Sequence, residues 1–131
     1  MIVGREHMRK RLYIGVAGAF GASTRLLVGQ LLIVSGSFPV ATFLVNMVGT
    51  FVLCYIVERA RLGGSLSPTA VTVITTGFLG AFTTFSAVSV ETVELLNDGF
   101  AGLAGTYVAS SLAGGLAMAA LGFSLARRCL S

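Results

Sequence analysis

The chain has 131 residues, of which 55% are hydrophobic and only 11% are charged, whereas an average soluble protein has about 25% charged residues. Three stretches carry no charge at all, residues 26–57, 62–90 and 99–126, and each exceeds the roughly 20 residues that an α-helix needs to cross the hydrocarbon core. This composition excludes a soluble enzyme with a polar surface, a nucleic-acid-binding protein and a disordered tail. It indicates an integral membrane protein.

Short polar turns divide the sequence into four apolar segments, which predict four membrane-spanning helices in one domain. The predicted helices cover residues 12–34, 39–57, 69–96 and 100–126. A turn over residues 35–39 follows the first helix, because Pro39 cannot continue a helix and disfavours α backbone in the residue before it. A loop at residues 63–65 follows the second helix, and Pro68 suits the first turn of the third. The predicted fold class is therefore all-α.

The third segment has an unusual centre, rich in glycine and hydroxyl residues, over residues 77–86. This composition strains a continuous helix and predicts a break. Non-helical backbone at membrane depth is tolerated only where it is buried in protein or lines a polar cavity. Freed carbonyls in such a break bind small cations, and phenylalanine edges beside threonine hydroxyls suit a small anion.

Polar side chains inside the other predicted helices are further candidates, since each is costly at membrane depth. The amide of Asn46 suits either an anion or a neighbouring helix. Arg25 suits either a helix end or a lipid headgroup. Glu91, near the end of the third segment, is interpreted as a residue at the membrane–water interface. Tyr107 and Ser111, four residues apart, place two hydroxyls on one face of the fourth helix.

The sequence has none of the residue combinations that catalysis requires: no carboxylate pair, no Ser/His/Asp set and no His/Cys cluster. Cys54 and Cys129 lack metal-ligand spacing and predict no disulfide, and the single His7 is interpreted as a solvated side chain. Ala17 and Gly21, four residues apart, predict close packing of the first helix against a neighbour. We therefore expect no enzymatic activity.

The basic residues are distributed unevenly between the predicted loops. Eight of the nine lie before the first helix, between the second and third, or after the fourth. With four crossings these three regions share one side of the membrane, and the positive-inside rule places both termini in the cytoplasm. The remaining basic residue, Arg25, lies within the first helix.

Three motifs together resemble those of the Fluc/CrcB family of fluoride channels. They are Gly-Ala-Ser-Thr-Arg at residues 21–25, Thr-Phe-Leu-Val-Asn-Met-Val-Gly-Thr-Phe at residues 42–51, and Gly-Phe-Leu-Gly-Ala-Phe-Thr-Thr-Phe-Ser at residues 77–86. Their order and spacing agree with the family, and the resemblance extends over roughly residues 13–126.

The resemblance implies a fluoride-selective channel through which fluoride leaves the cell passively, in the inner (plasma) membrane. It implies two four-helix subunits packed antiparallel, self or paralogue, with two fluoride pores along their interface. It also implies a central structural sodium ion (Na+), which is not transported and is bound by the backbone carbonyls of Gly80 and Thr83 of each subunit. The implied anion pathway contains Asn46, Thr84, Phe85, Ser86, Val88, Tyr107 and Ser111, while Arg25 is a structural polar residue.

Two departures from the family pattern concern the pore. Val88 stands where a second pore phenylalanine is expected, and Gly115 stands where a serine is familiar on the fourth helix. The strong charge bias is also unusual for a subunit that inserts in both orientations. We therefore keep a second hypothesis, in which this chain inserts one way and supplies a non-conducting or half-pore subunit to a heterodimer.

Two other classes are alternatives. Small four-helix drug exporters need an acidic residue in the middle of the first helix, and residues 13–34 contain none. A purely structural membrane subunit would need neither Asn46 nor the break at residues 80–86. Replacing Asn46 by alanine distinguishes this last alternative from a pore subunit.

Overall fold

The computed structural model describes residues 2–32 and 38–128, and within these ranges the regular structure is entirely helical. The helices are α1 (Ile2–Leu31), α2 (Val40–Arg61), α3 (Pro68–Thr72), a π-helical segment (Val73–Leu79), α4 (Gly80–Phe82), α5 (Ser86–Asn97) and α6 (Ala101–Arg128). The elements from α3 to α5 follow one another and form the third span. Together with α1, α2 and α6 they give four helices long and apolar enough to cross a membrane.

The helix ends differ from the predicted ones mainly beside charged residues. The first helix starts at Ile2, ten residues before the predicted start, and α2 continues to Arg61, four residues beyond the predicted end. Both extensions consist largely of residues with good helix propensity, so charge at the membrane surface does not end the helix. The predicted end of the first helix at residue 34, the turn at 35–37 and Cys129 lie outside the described residues.

The third span begins as the sequence indicates. Pro68 occupies the first turn of α3, where its missing N–H group costs nothing, and the Ala70 N–H donates to the Ser67 hydroxyl at 3.2 Å. At its other end, Gly99 adopts a φ of +83°, which glycine tolerates best, and joins α5 to α6.

The four spans pack mainly as two parallel pairs, the first span with the third and the second span with the fourth. The first half of the third span packs on α1, whereas α6 contacts both α2 and α5. Gly21 permits the first contact, because a Cβ atom there would lie 2.1 Å from the carbonyl oxygen of Phe78. Gly122 has the same role between α6 and α2, 2.6 Å from the Phe51 oxygen. Small residues thus bring the backbones together, as predicted for Gly21.

The basic regions lie at one end of the bundle. The buried Glu58 carboxylate, at the end of α2, pairs with Arg61 at 2.8 Å and with Arg127 of α6 at 2.7 Å. The start of α1 also lies at this end, since Tyr13 and Thr69 line a common surface pocket. The loop charges that the sequence places on one side are therefore together in the fold.

Candidate functional site

The third span is interrupted at residues 83–85, within the segment where the sequence predicted a break. Thr83 has extended backbone, with ψ of 154°, and α5 resumes the helix only at Ser86. The π-helical turns just before the break widen the helix, a distortion that is rare and often found at functional sites. The predicted break is confirmed, and it bends the third span between its α1-facing and α6-facing halves.

Asn46 of α2 binds the interrupted backbone directly. Its Nδ2 donates to the Thr84 carbonyl at 2.8 Å, and the Thr84 N–H donates to Asn46 Oδ1 at 2.8 Å. The side chain therefore replaces two helical hydrogen bonds that Thr84 cannot make. An amide carries two N–H donors, so one N–H of Asn46 is available for another acceptor.

The break also changes the partners of two carbonyl groups. In a continuous α-helix the Gly80 carbonyl would accept from the Thr84 N–H, and the Thr83 carbonyl from the Ala87 N–H. The first of these N–H groups donates instead to Asn46, and the second to the Thr84 hydroxyl at 3.1 Å. The Gly80 and Thr83 carbonyls thus lose their helical donors, which makes them suitable oxygen ligands for a small hard cation.

Arg25 lies beside the same break on the α1 side. Its Nε donates to the Ala81 carbonyl at 3.3 Å, from a partly buried position. The helical partner of that carbonyl would be the Phe85 N–H, which lies within the interruption. Of the two roles left open by the sequence, binding of a helix end is the one observed.

A groove of about 580 Å³ runs along the break, between α2 and α6. The groove contains most of the residues that the sequence placed on an anion pathway, and the described residues contribute no acidic side chain to its lining. The residues that form it include Asn46, Thr83, Thr84, Phe85, Val88, Ser111 and Gly115.

Two of the residues that line the groove are unusual for their surroundings. Phe85 is 79% exposed, although it is a large aromatic residue. The Ser111 hydroxyl is buried and has no hydrogen-bond partner within the described part of the chain. Residues that carry a hydroxyl, an amide and an aromatic ring therefore line one cavity, and these are groups that favour a small anion.

The structure separates Tyr107 and Ser86 from this lining. Tyr107 is fully buried and packs with Val88, and its hydroxyl donates to Glu91 Oε2 at 2.5 Å. Thr42 donates to the other oxygen of Glu91 at 2.6 Å. Ser86 is exposed, with its Oγ 3.1 Å from the Thr84 hydroxyl.

The arrangement around Glu91 was missed by the sequence reasoning. The sequence placed Glu91 at the membrane–water interface without partners. In the fold, two hydroxyls bind its carboxylate at a partly buried position between α2, α5 and α6. An acidic residue within an apolar segment was the available signal. Its partners could not be identified from the sequence, because Thr42 and Tyr107 belong to other helices.

Comparison with known proteins gives one family. The model of the CrcB-like protein family, Camphor Resistance (CrcB), matches residues 12–123. The chain is 46% identical over 121 residues to a protein of Chlorobaculum tepidum named fluoride-specific ion channel FluC, covering 92% of this chain and 96% of that one. It is 42% identical over 122 residues to fluoride-specific ion channel FluC 1 of Bacillus anthracis, covering 90% and 89% of the two chains.

A third relative is fluoride-specific ion channel FluC 2 of Listeria innocua, 42% identical over 119 residues, which are 91% of this chain and 92% of the relative. The matches span all four helices and include the three motifs on which the resemblance rested. They describe a family of channels, not of enzymes. The chain therefore belongs to the CrcB-like family, whose relatives quoted above are named fluoride-specific ion channels.

Proposed function

We propose that this chain is a subunit of a fluoride-selective channel through which cytoplasmic fluoride leaves the cell passively. The observation that carries the proposal is the groove at the helix break, which Asn46 and Ser111 line and to which the described residues contribute no acidic side chain. The names of the relatives support fluoride as the anion.

Passage requires donors that replace the water around fluoride. The Ser111 O–H and the second Asn46 N–H supply two such donors, and the exposed edge of Phe85 adds a weaker positive region. Because Asn46 is fixed by two hydrogen bonds to Thr84, its remaining N–H has a defined direction. Fluoride is the smallest halide, so a narrow path with fixed donors favours it over chloride.

The second part of the proposal is an antiparallel dimer. Large apolar side chains beside the groove are exposed in one chain, with Phe85 at 79%, Leu112 at 61% and Leu116 at 75%. A second subunit of the same family, self or paralogue, would cover this face and close two pores.

The third part concerns sodium. The Gly80 and Thr83 carbonyls have lost their helical donors, so their chemistry fits a hard monovalent cation. When bound, Na+ would supply a fixed positive charge that raises the local concentration of anions. It is structural and not transported. Efflux measured with sodium replaced by N-methylglucamine on both sides should fall if the cation holds the dimer together.

Orientation decides between a homodimer and a heterodimer. The basic regions lie at one end of the bundle, which favours insertion in the inner membrane with both termini cytoplasmic. A chain restricted to this orientation would need an oppositely oriented paralogue and would contribute half of the interface. Reporter fusions at both termini test this, since equal inside and outside populations would contradict a fixed orientation.

The decisive experiment is anion efflux from liposomes that contain the purified chain alone, followed with fluoride and chloride electrodes. Fluoride efflux without chloride efflux would support the homodimeric channel. If well-folded protein gives no flux, co-reconstitution with a second family member should restore it, as the half-pore alternative requires. Failure of both arrangements would refute the channel proposal.

A further inference from the structure

A second surface site lies at the start of α1, apart from the α2–α6 groove. Two adjoining pockets occur there, an apolar one of about 670 Å³ and a polar one of about 480 Å³. Tyr13 of α1 and Thr69 of α3 line both pockets, so the two are continuous. Neither pocket shares a lining residue with the groove at the helix break.

The apolar pocket lies between α1 and the third span, which run parallel, beside residues 12–20 at the start of the apolar part of α1. One wall is formed by Leu12, Val16 and Phe20 of α1, which are 64%, 49% and 66% exposed. Ala70 and Val73 of the third span form the other wall. A slot with these walls matches the shape and polarity of an acyl chain lying along the helices.

The polar pocket continues the slot toward the N-terminus. Its lining includes Arg9, Lys10 and His7, opposed by the single carboxylate of Glu6. At 30 residues, α1 is about 45 Å long, which exceeds the roughly 30 Å thickness of the hydrocarbon core. The N-terminal turns therefore lie at headgroup depth, where guanidinium and ammonium groups pair well with phosphate.

We propose that the two pockets together bind one anionic phospholipid. One acyl chain lies between α1 and the third span, and the headgroup phosphate lies against Arg9 and Lys10. From the middle of α1 toward its N-terminus, the apolar slot comes first and the basic pocket second. A phospholipid has the same order of parts, since its acyl chain lies toward the membrane centre and its phosphate toward the surface. Such a lipid would hold the start of α1 against α3, where α1 has exposed apolar side chains on its outer surface.

The test uses the full chain purified in detergent and native mass spectrometry with two lipids of identical acyl chains, phosphatidylglycerol and phosphatidylcholine. The proposal requires that phosphatidylglycerol is retained preferentially by the unmodified chain. In the double variant Arg9→Gln/Lys10→Gln its affinity should fall about 25-fold, from roughly fivefold for each basic residue near an anionic headgroup.

A matched control separates this site from general attraction of charge. The double variant Arg11→Gln/Arg128→Gln removes the same net charge from two exposed residues that do not line the polar pocket. It should retain most of the affinity for phosphatidylglycerol. Equal losses in the two double variants, or no preference between the two lipids in the unmodified chain, would overturn the proposal.

The acyl-chain slot is tested separately. Ala70→Phe fills the apolar pocket and should reduce phosphatidylglycerol binding severalfold, while Ala19→Phe adds the same ring to an exposed position of α1 outside the slot and should not. Glycerol 3-phosphate, which has the phosphate but no chains, should bind far more weakly. Equal binding of glycerol 3-phosphate would identify a site for free phosphate and contradict the lipid assignment.

Discussion

Replacing Asn46 by alanine should destabilise the helix break and abolish fluoride efflux. The substitution removes both hydrogen bonds between Asn46 and Thr84, each 2.8 Å long. It also removes the N–H group that we assign to the anion pathway. Stability and conduction should therefore fall together, whereas a substitution that affects only the pathway would leave stability unchanged.

The expected loss of stability follows from the contacts of Thr84. Each intramolecular hydrogen bond contributes about 1 kcal/mol net, and a buried group left without a partner costs about 1–3 kcal/mol. Both the N–H and the carbonyl of Thr84 lose their partner, in a position that is only partly buried. We expect the free energy of unfolding to decrease by about 2–4 kcal/mol, with the lower value applying if water enters the groove and replaces the lost partners.

Thermal unfolding in detergent and fluoride efflux from liposomes measure the two effects. Val48→Ala is the control, because Val48 lies on the same helix and is 54% exposed. Asn46→Asp keeps an acceptor for the Thr84 N–H and cannot donate to its carbonyl, so its melting temperature should lie between those of the alanine variant and the unmodified chain. If Asn46→Ala melts like the control and still conducts, Asn46 does not hold the break.

Three further predictions use the same two assays. Gly21→Ala should lower the melting temperature, because overpacking reduces the free energy of unfolding by about 1–3 kcal/mol. Gly29→Ala is the control and should not lower it, since none of the described residues outside its own stretch of α1 lies within 4 Å of the added Cβ atom. Equal effects of the two substitutions would contradict close packing at Gly21. Val88→Phe should retain or increase fluoride efflux, since it adds an aromatic ring to the lining of the groove. A severe loss would mean that the larger ring does not fit where Val88 packs on Tyr107. Glu58→Gln should lower the melting temperature because it removes the ion pairs with Arg61 on the same helix and with Arg127 of α6. The exposed Glu94, which makes no ion pair within the described ranges, should tolerate the same change.

Much of the fold was predictable, since it depends on local properties of the sequence. Long uncharged stretches, Pro39 and Pro68 identified four spans, because the hydrocarbon thickness fixes the length that a helix must have. The helix ends at Ile2 and Arg61 were less predictable. Charge marks the membrane surface, but helix propensity continues the backbone beyond it.

The site was predictable in its residue types and only partly in its contacts. Glycines and threonines at residues 77–86 indicated a break, and a polar residue at membrane depth marked Asn46 as a candidate. The sequence could not tell whether this amide faces an anion or a neighbouring helix. In the fold the amide forms hydrogen bonds with Thr84, 38 positions further along the chain, and one of its two N–H groups remains available.

The sequence by itself determined that this protein lies in the membrane, how many times it crosses and where the third span breaks, because each follows from composition within one segment. Only the tertiary structure decided which groups meet across helices. It placed Tyr107 on Glu91 rather than in the groove, left the Ser111 hydroxyl without a hydrogen-bond partner among the described residues, and removed the helical donors of the Gly80 and Thr83 carbonyls. These outcomes depend on how far each helix is rotated and displaced against its neighbours, and close packing at small residues such as Gly21 and Gly122 sets that geometry.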